Sequence, residues 1–210
     1  AQPARAELAR KVFRALGPEC GSSGVVLTSE RLRRFAALTG FNGSDEEWRE
    51  EFALLCRERR LQHWDGVGER DFLELVDNTN QSGCYCSDEE LQHILDTLNE
   101  ANAWRRTTTS EVFHALAKGS QHLSSAAVRR FAGLCGFLPV SDKEWAEEFA
   151  LLREEHGCEH EPGLSEAGFH SLVGDGTGQG CYCSDEDLAR IQKALRRPRA
   201  EEPREEEEEE

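Results

Sequence analysis

Apolar residues recur along the chain at helical spacing. Leu8, Val12, Phe13 and Leu16 fall on one stripe, and Leu32, Phe35 and Leu38 on a second. Trp48, Phe52 and Leu55 stand four and three apart, the spacing that turns one helix face toward a core. Phe72, Leu75 and Val76 open a fourth helix, and Leu91, Ile94, Leu95 and Leu98 make a fifth. Ser44 with Glu47, and Ser87 with Glu90, have the spacing of capping boxes at the starts of the third and fifth helices. Between the first two helices, Gly21-Ser22-Ser23-Gly24 followed by Val25-Val26-Leu27 predicts a turn and a short extended segment.

The same pattern then returns. Cys84-Tyr85-Cys86-Ser87-Asp88-Glu89 recurs 97 positions later as Cys181-Tyr182-Cys183-Ser184-Asp185-Glu186. At that offset Glu50-Glu51-Phe52-Ala53-Leu54-Leu55 becomes Glu147-Glu148-Phe149-Ala150-Leu151-Leu152, Trp48 becomes Trp145, and Ser44-Asp45 becomes Ser141-Asp142. Arg33-Arg34-Phe35-Ala36 matches Arg129-Arg130-Phe131-Ala132 at offset 96, and Phe13 matches Phe113 at offset 100. The stripes repeat as Val112/Phe113/Leu116, Val128/Phe131, Trp145/Phe149/Leu152, Phe169/Leu172 and Leu188/Ile191/Leu195. A period this long fits a duplicated domain and not a solenoid unit. The predicted fold class is all-α: two helix–loop–helix lobes with short two-stranded loop pairings. Lobe 1 spans residues 1–99, a linker 100–109, lobe 2 residues 110–197, and a disordered acidic tail 198–210.

Charge narrows the partners. The formal net charge of the 210 residues is −16, and Glu201–Glu210, with eight Glu and one Arg, supply −7 of it. An acidic body disfavours nucleic acid and anionic membrane, and suits a cation or a basic target. No apolar run approaches the roughly 18–20 residues that span a bilayer, so membrane insertion is not expected. The sequence has no Met, even at position 1, and Ala1–Glu7 lack the apolar core of a signal peptide. A processed chain, or a piece of a longer protein, is the reading. Eight Cys without a secretory signal point to free thiols in the cytoplasm or another reducing compartment.

The order of elements, with Leu27-Thr28-Ser29-Glu30-Arg31-Leu32 leading into the second helix, resembles one lobe of a calmodulin-type EF-hand protein. The resemblance covers residues 6–78 and 107–174. It implies paired helix–loop–helix hands joined through short central strands, with calcium as the family's ion. A calcium loop needs oxygen ligands at positions 1, 3 and 5 and a bidentate Glu at 12. With Leu27 at position 8, Cys20 falls at 1, Gly24 at 5 and Arg31 at 12. With Val67 at 8, Arg60, Gln62 and Trp64 fall at 1, 3 and 5, and Asp71 at 12. The third hand is short and ends at Ala127; the fourth, around Leu164, has Gly168 at 12. These loops read as hands that kept the fold and lost the ion.

A different pair of segments has ligand spacing. Asn78, Asn80, Ser82, Gly83 and Glu89 occupy positions 1, 3, 5, 6 and 12 of one, and Asp175, Thr177, Gln179, Gly180 and Glu186 those of its copy. Each is a candidate calcium loop, or else a polar, Gly-rich loop before a Ser-capped helix. Cys84, Cys86, Cys181 and Cys183 could supply four thiolates to zinc, or else pack as small apolar groups beside Tyr85 and Tyr182. Cys20, Cys56, Cys135 and Cys158 have no match between the copies and read as incidental. Trp48 and Trp145 read as core, whereas Trp64 and Trp104 are open to a partner. His156 and His160 lack the Glu of a metalloprotease motif, and no acid, base and nucleophile converge, so an enzyme is not expected. Calcium-sensor lobes offer a Met-rich groove, which a Met-free chain cannot. The functional expectation is a non-catalytic EF-hand-type module that binds calcium weakly, or a protein partner, or both. A calcium-independent scaffold and a zinc-stapled interaction protein are the alternatives.

Overall fold

The computed structural model describes residues 3–21, 24–61, 66–79, 84–137, 141–174 and 183–196. Among these the chain is mostly helical, with nine helices and five short strands. It divides into two compact units, Ala1–Asn102 and Ala103–Glu210.

The first unit runs α1 (Pro3–Ala15), β1 (Glu19–Gly21), β2 (Gly24–Leu27), α2 (Ser29–Leu38), α3 (Asp45–Glu58), β3 (Val67–Gly68), α4 (Glu69–Asp77) and the start of α5 (Asp88–Ala117). Its strands form one antiparallel sheet in the order β1-β2-β3, with Val26 facing Gly68 and Leu27 facing Val67. The β2–β3 pair is the two-stranded pairing expected from the loops, and β1 adds a third strand to it. That strand returns through the pair Gly21 and Gly24, and Gly24 holds φ +115°, a conformation that only glycine adopts without strain. Phe13, Phe35 and Phe72 meet at the centre of the core, with ring centroids 5.7 Å apart for Phe13–Phe72 and 5.0 Å for Phe35–Phe72. Leu38, at the end of its stripe, is exposed, because α2 ends there.

The second unit takes the end of α5, then β4 (His122–Leu123), α6 (Ser125–Leu134), α7 (Asp142–Glu155), β5 (Leu164–Ser165), α8 (Glu166–Gly174) and α9 (Asp185–Arg196). Here β4 and β5 pair antiparallel, with Leu123 facing Leu164. Phe113, Phe131 and Phe169 form the aromatic centre, with centroids 6.0 Å apart for Phe113–Phe169 and 4.8 Å for Phe131–Phe169. Trp48 and Trp145 are buried, and each indole N–H donates to a serine at the start of the preceding helix. Trp48 Nε1 lies 3.0 Å from Ser29 Oγ, and Trp145 Nε1 lies 2.8 Å from Ser125 Oγ.

Caps fix where the helices begin. Ser44/Glu47 and Ser141/Glu144 form complete capping boxes, and Ser87 exchanges the same two bonds with Glu90. Hydrogen bonds from these serines hold the carboxyls of Glu47, Glu90 and Glu144 below the usual carboxylate range. Two glycines fix where the strands can pair. A Cβ on Gly66 would stand 2.5 Å from the Leu27 carbonyl oxygen, and one on Gly163 would stand 2.2 Å from that of Leu123.

Residues 100–109, expected as a linker, are helical and belong to α5. No Gly or Pro interrupts 88–117, so nothing in the backbone stops the helix where the apolar stripe lapses. Leu91, Ile94, Leu95 and Leu98 serve the first core, and Val112, Phe113 and Leu116 the second. The expected tail 198–210 lies outside the described residues, as does Trp64. Among the described residues no helix is long and apolar enough to cross a membrane.

Candidate binding site at the Cys-Tyr-Cys segments

The segment 84–87 leads into α5. Its backbone is tied to α4: Cys84 N–H donates to Leu75 O at 3.0 Å, and Cys86 N–H to Val76 O at 3.2 Å. In the second unit Cys183 N–H donates to Val173 O at 3.3 Å. Two backbone carbonyls and nearby carboxylates are thereby turned toward one spot.

An arginine guanidinium fills that spot. Arg5, on α1, donates through Nη2 to Val76 O at 3.1 Å and to Cys86 O at 2.6 Å. Its Nε donates to Asp77 at 2.7 Å, and Nη1 pairs with Asp88. Burial opposes the charge of Arg5, but the bonds to Asp88 and Asp77 outweigh it and raise its pKa. The guanidinium also lies over the exposed Tyr85 ring, 5.2 Å from its centroid. Arg105, on α5, makes the corresponding set: Val173 O at 3.1 Å, Cys183 O at 2.7 Å and Asp185 at 2.5 Å. Arg5 and Arg105 stand 100 positions apart, the offset of Phe13 and Phe113, and extending that match along the first helix would have found them.

The thiols respond to this setting. Cys84 Sγ lies 3.6 Å from Thr39 Oγ1, and Cys86 Sγ donates to Cys84 O at 3.4 Å. Hydrogen bonding with the Cys86 thiol pulls the Cys84 thiol down to about 6, with help from Thr39 and against the push of burial. Cys86 moves up in return, because it keeps the proton that the pair shares. In the second unit the place of Thr39, 96 positions on, is taken by Cys135, whose Sγ lies 3.5 Å from Cys183 Sγ. Cys135, read from sequence as incidental, therefore belongs to this site.

Of the candidate calcium ligands, Asn78 ends α4 and lines a groove with Glu58, Arg59, Asp71 and Glu74. Glu89 and Glu186 are exposed in the first turns of α5 and α9. Asn80, Ser82, Asp175, Thr177 and Gln179 lie outside the described residues. Of the zinc set, Cys84 and Cys86 sit in the first unit and Cys183 in the second, and Cys181 lies outside the described residues. Among the described residues no three His, Cys, Asp or Glu side chains are grouped to hold a metal ion.

Arginines also occupy the loops between helix pairs. Arg31 pairs with Glu19 at 3.4 Å across the loop between α1 and α2. Arg59 reaches from the end of α3 to Asp71 O at 3.3 Å and Glu74 at 3.5 Å on α4. Arg153 donates to three carbonyls of the loop after α7: Cys158 at 3.1 Å, Glu159 at 2.8 Å, and Glu161. At Gly168 a Cβ would meet Cys158 Sγ at 2.9 Å, so the buried thiol already fills the space in front of it. Compared with family models, with curated proteins and with solved structures, the chain finds no match.

Proposed function

We propose that the chain is a non-catalytic EF-hand-type interaction module, built by internal duplication, whose hands are held closed by arginine side chains in place of a bound cation. The strand register supports the hand reading. The residues at position 8 of each loop face one another in pairs, Leu27 with Val67 and Leu123 with Leu164. The observation that carries the ion-independent reading is the seat of Arg153, on the three loop carbonyls named above. A calcium loop turns its oxygens inward because the ion attracts them. In this loop a fixed positive charge does that, and it repels a second cation. Arg31, at position 12 of the first loop, has the same consequence: its charge is matched by Glu19 and leaves no net negative pair for an ion.

The partner expected is a protein segment that is both basic and apolar. Leu54 and Leu151, equivalent positions on α3 and α7, are 38% and 54% exposed, beside the exposed acids Glu50, Glu51, Glu147 and Glu148. The test is co-purification of proteins with the tagged chain, in calcium and in chelator, with a Leu54→Glu/Leu151→Glu variant alongside. The same proteins should be retained in both buffers and lost by the variant. Retention only in calcium, or retention untouched by the variant, would contradict the reading.

A further inference from the structure

Two thiols in the second unit form a contact between α6 and the segment before α9 that has no counterpart in the first unit. Cys135 closes α6 and is partly exposed; Cys183 precedes α9 and is buried. Their sulfurs are 3.5 Å apart, in van der Waals contact, and a rotation of either side chain separates that contact from a bond of about 2 Å. Both backbones are anchored. Cys135 N–H donates to Phe131 O at 3.0 Å and Cys183 N–H to Val173 O at 3.3 Å, so the approach is set by the fold.

Arg190 supplies the charge that favours thiolate. It donates to Leu134 O at 2.9 Å, next to Cys135, and to Asp187 at 2.8 Å. Its own pKa is raised by the hydrogen bond with Asp187. A guanidinium beside a thiol stabilises the anion, which is the nucleophile in disulfide exchange. In the first unit Thr39 stands where Cys135 stands in the second, so no sulfur meets Cys86 from α2.

We propose that Cys135 and Cys183 form a reversible disulfide, a thiol-modification site that takes a small-molecule disulfide such as oxidised glutathione as its oxidant. The partly exposed Cys135, as its thiolate, attacks one sulfur of the oxidant, forms a mixed disulfide and expels one glutathione thiolate, which takes up a proton. Cys183 gives up its proton and attacks Cys135 Sγ. The new Sγ–Sγ bond forms as the second glutathione leaves and is protonated. Two protein thiols lose two electrons and two protons, and one oxidised glutathione gains them as two reduced molecules.

The test treats the full chain with oxidised glutathione, alkylates the remaining thiols in denaturant, and maps linked peptides by mass spectrometry. The expected product joins the peptides of Cys135 and Cys183, lighter by two hydrogens than the separate thiols. Cys135→Thr, which copies the residue of the first unit, should abolish it. Cys183→Ala should instead trap a glutathione adduct on Cys135. A link from either cysteine to Cys181, a lasting adduct on Cys135 of the unmodified chain, or two intact thiols would overturn the proposal. So would a Cys183→Ala chain with no adduct on Cys135.

Discussion

Arg153 is one side chain that satisfies three backbone carbonyls. Arg153→Ala should destabilise the second unit by about 2 kcal/mol, the scale of hydrogen bonds from a charged donor, as read by urea denaturation. Arg153→Lys should recover only part of this, because an ammonium cannot span the three acceptors. Cys84 gives a residue-scale prediction in pH. Its thiol is pulled down to about 6, so its alkylation should be nearly constant from neutral pH upward and fall as pH drops through 6. An ordinary thiol would instead keep gaining rate toward pH 9. Iodoacetamide labelling followed by peptide mapping measures this, and a rate that climbs steadily to pH 9 would contradict it. Sequence showed these residues unevenly. Trp48 and Trp145 were legible as core because their spacing is helical. Arg153 was not, because an arginine among glutamates reads as a solvated face and its acceptors are backbone atoms that carry no residue identity. Cys135 was missed because its counterpart is Thr39, and comparison between the copies discards what differs.

At the scale of elements, caps and stripes were legible, and continuity was not. Ser44/Glu47, Ser87/Glu90 and Ser141/Glu144 mark helix starts in the sequence, and the helices begin there. The run from Asn99 to Thr109 has no apolar stripe, so periodicity placed a linker there, where the units divide, without showing that it is helical. The better signal was negative, the lack of any helix breaker in that run. Strand β1 was hidden for a related reason, since three residues are too few to show alternation. Gly66 and Gly163 are 97 positions apart and do the same work, letting one loop backbone pass close to the carbonyl of its neighbour. Gly163→Ala places a methyl against the Leu123 carbonyl and should cost about 1–3 kcal/mol, as forced overpacking does. Gly133→Ala, inside α6 where an added Cβ meets nothing within 4 Å, is the control: alanine suits a helix interior better than glycine, so the unfolding midpoint in urea should hold or rise and never fall.

For the whole molecule, each unit has its own aromatic centre, its own strand pairing and its own arginine, on the carbonyl of Cys86 in one and of Cys183 in the other. The recurring residue pattern was the most legible feature of the sequence, and its first implication was four calcium hands. The loop positions argued against that reading, since Arg31 and Gly168 stand where bidentate acids belong. The guanidinium seats then suggest what holds the loops instead. Ion independence is therefore the central claim, and thermal unfolding of the full chain tests it directly. A ligand that binds the folded state raises the midpoint by mass action, increasingly with concentration. The midpoint should be the same in excess chelator and in millimolar calcium. A midpoint that climbs as calcium is added would contradict the account.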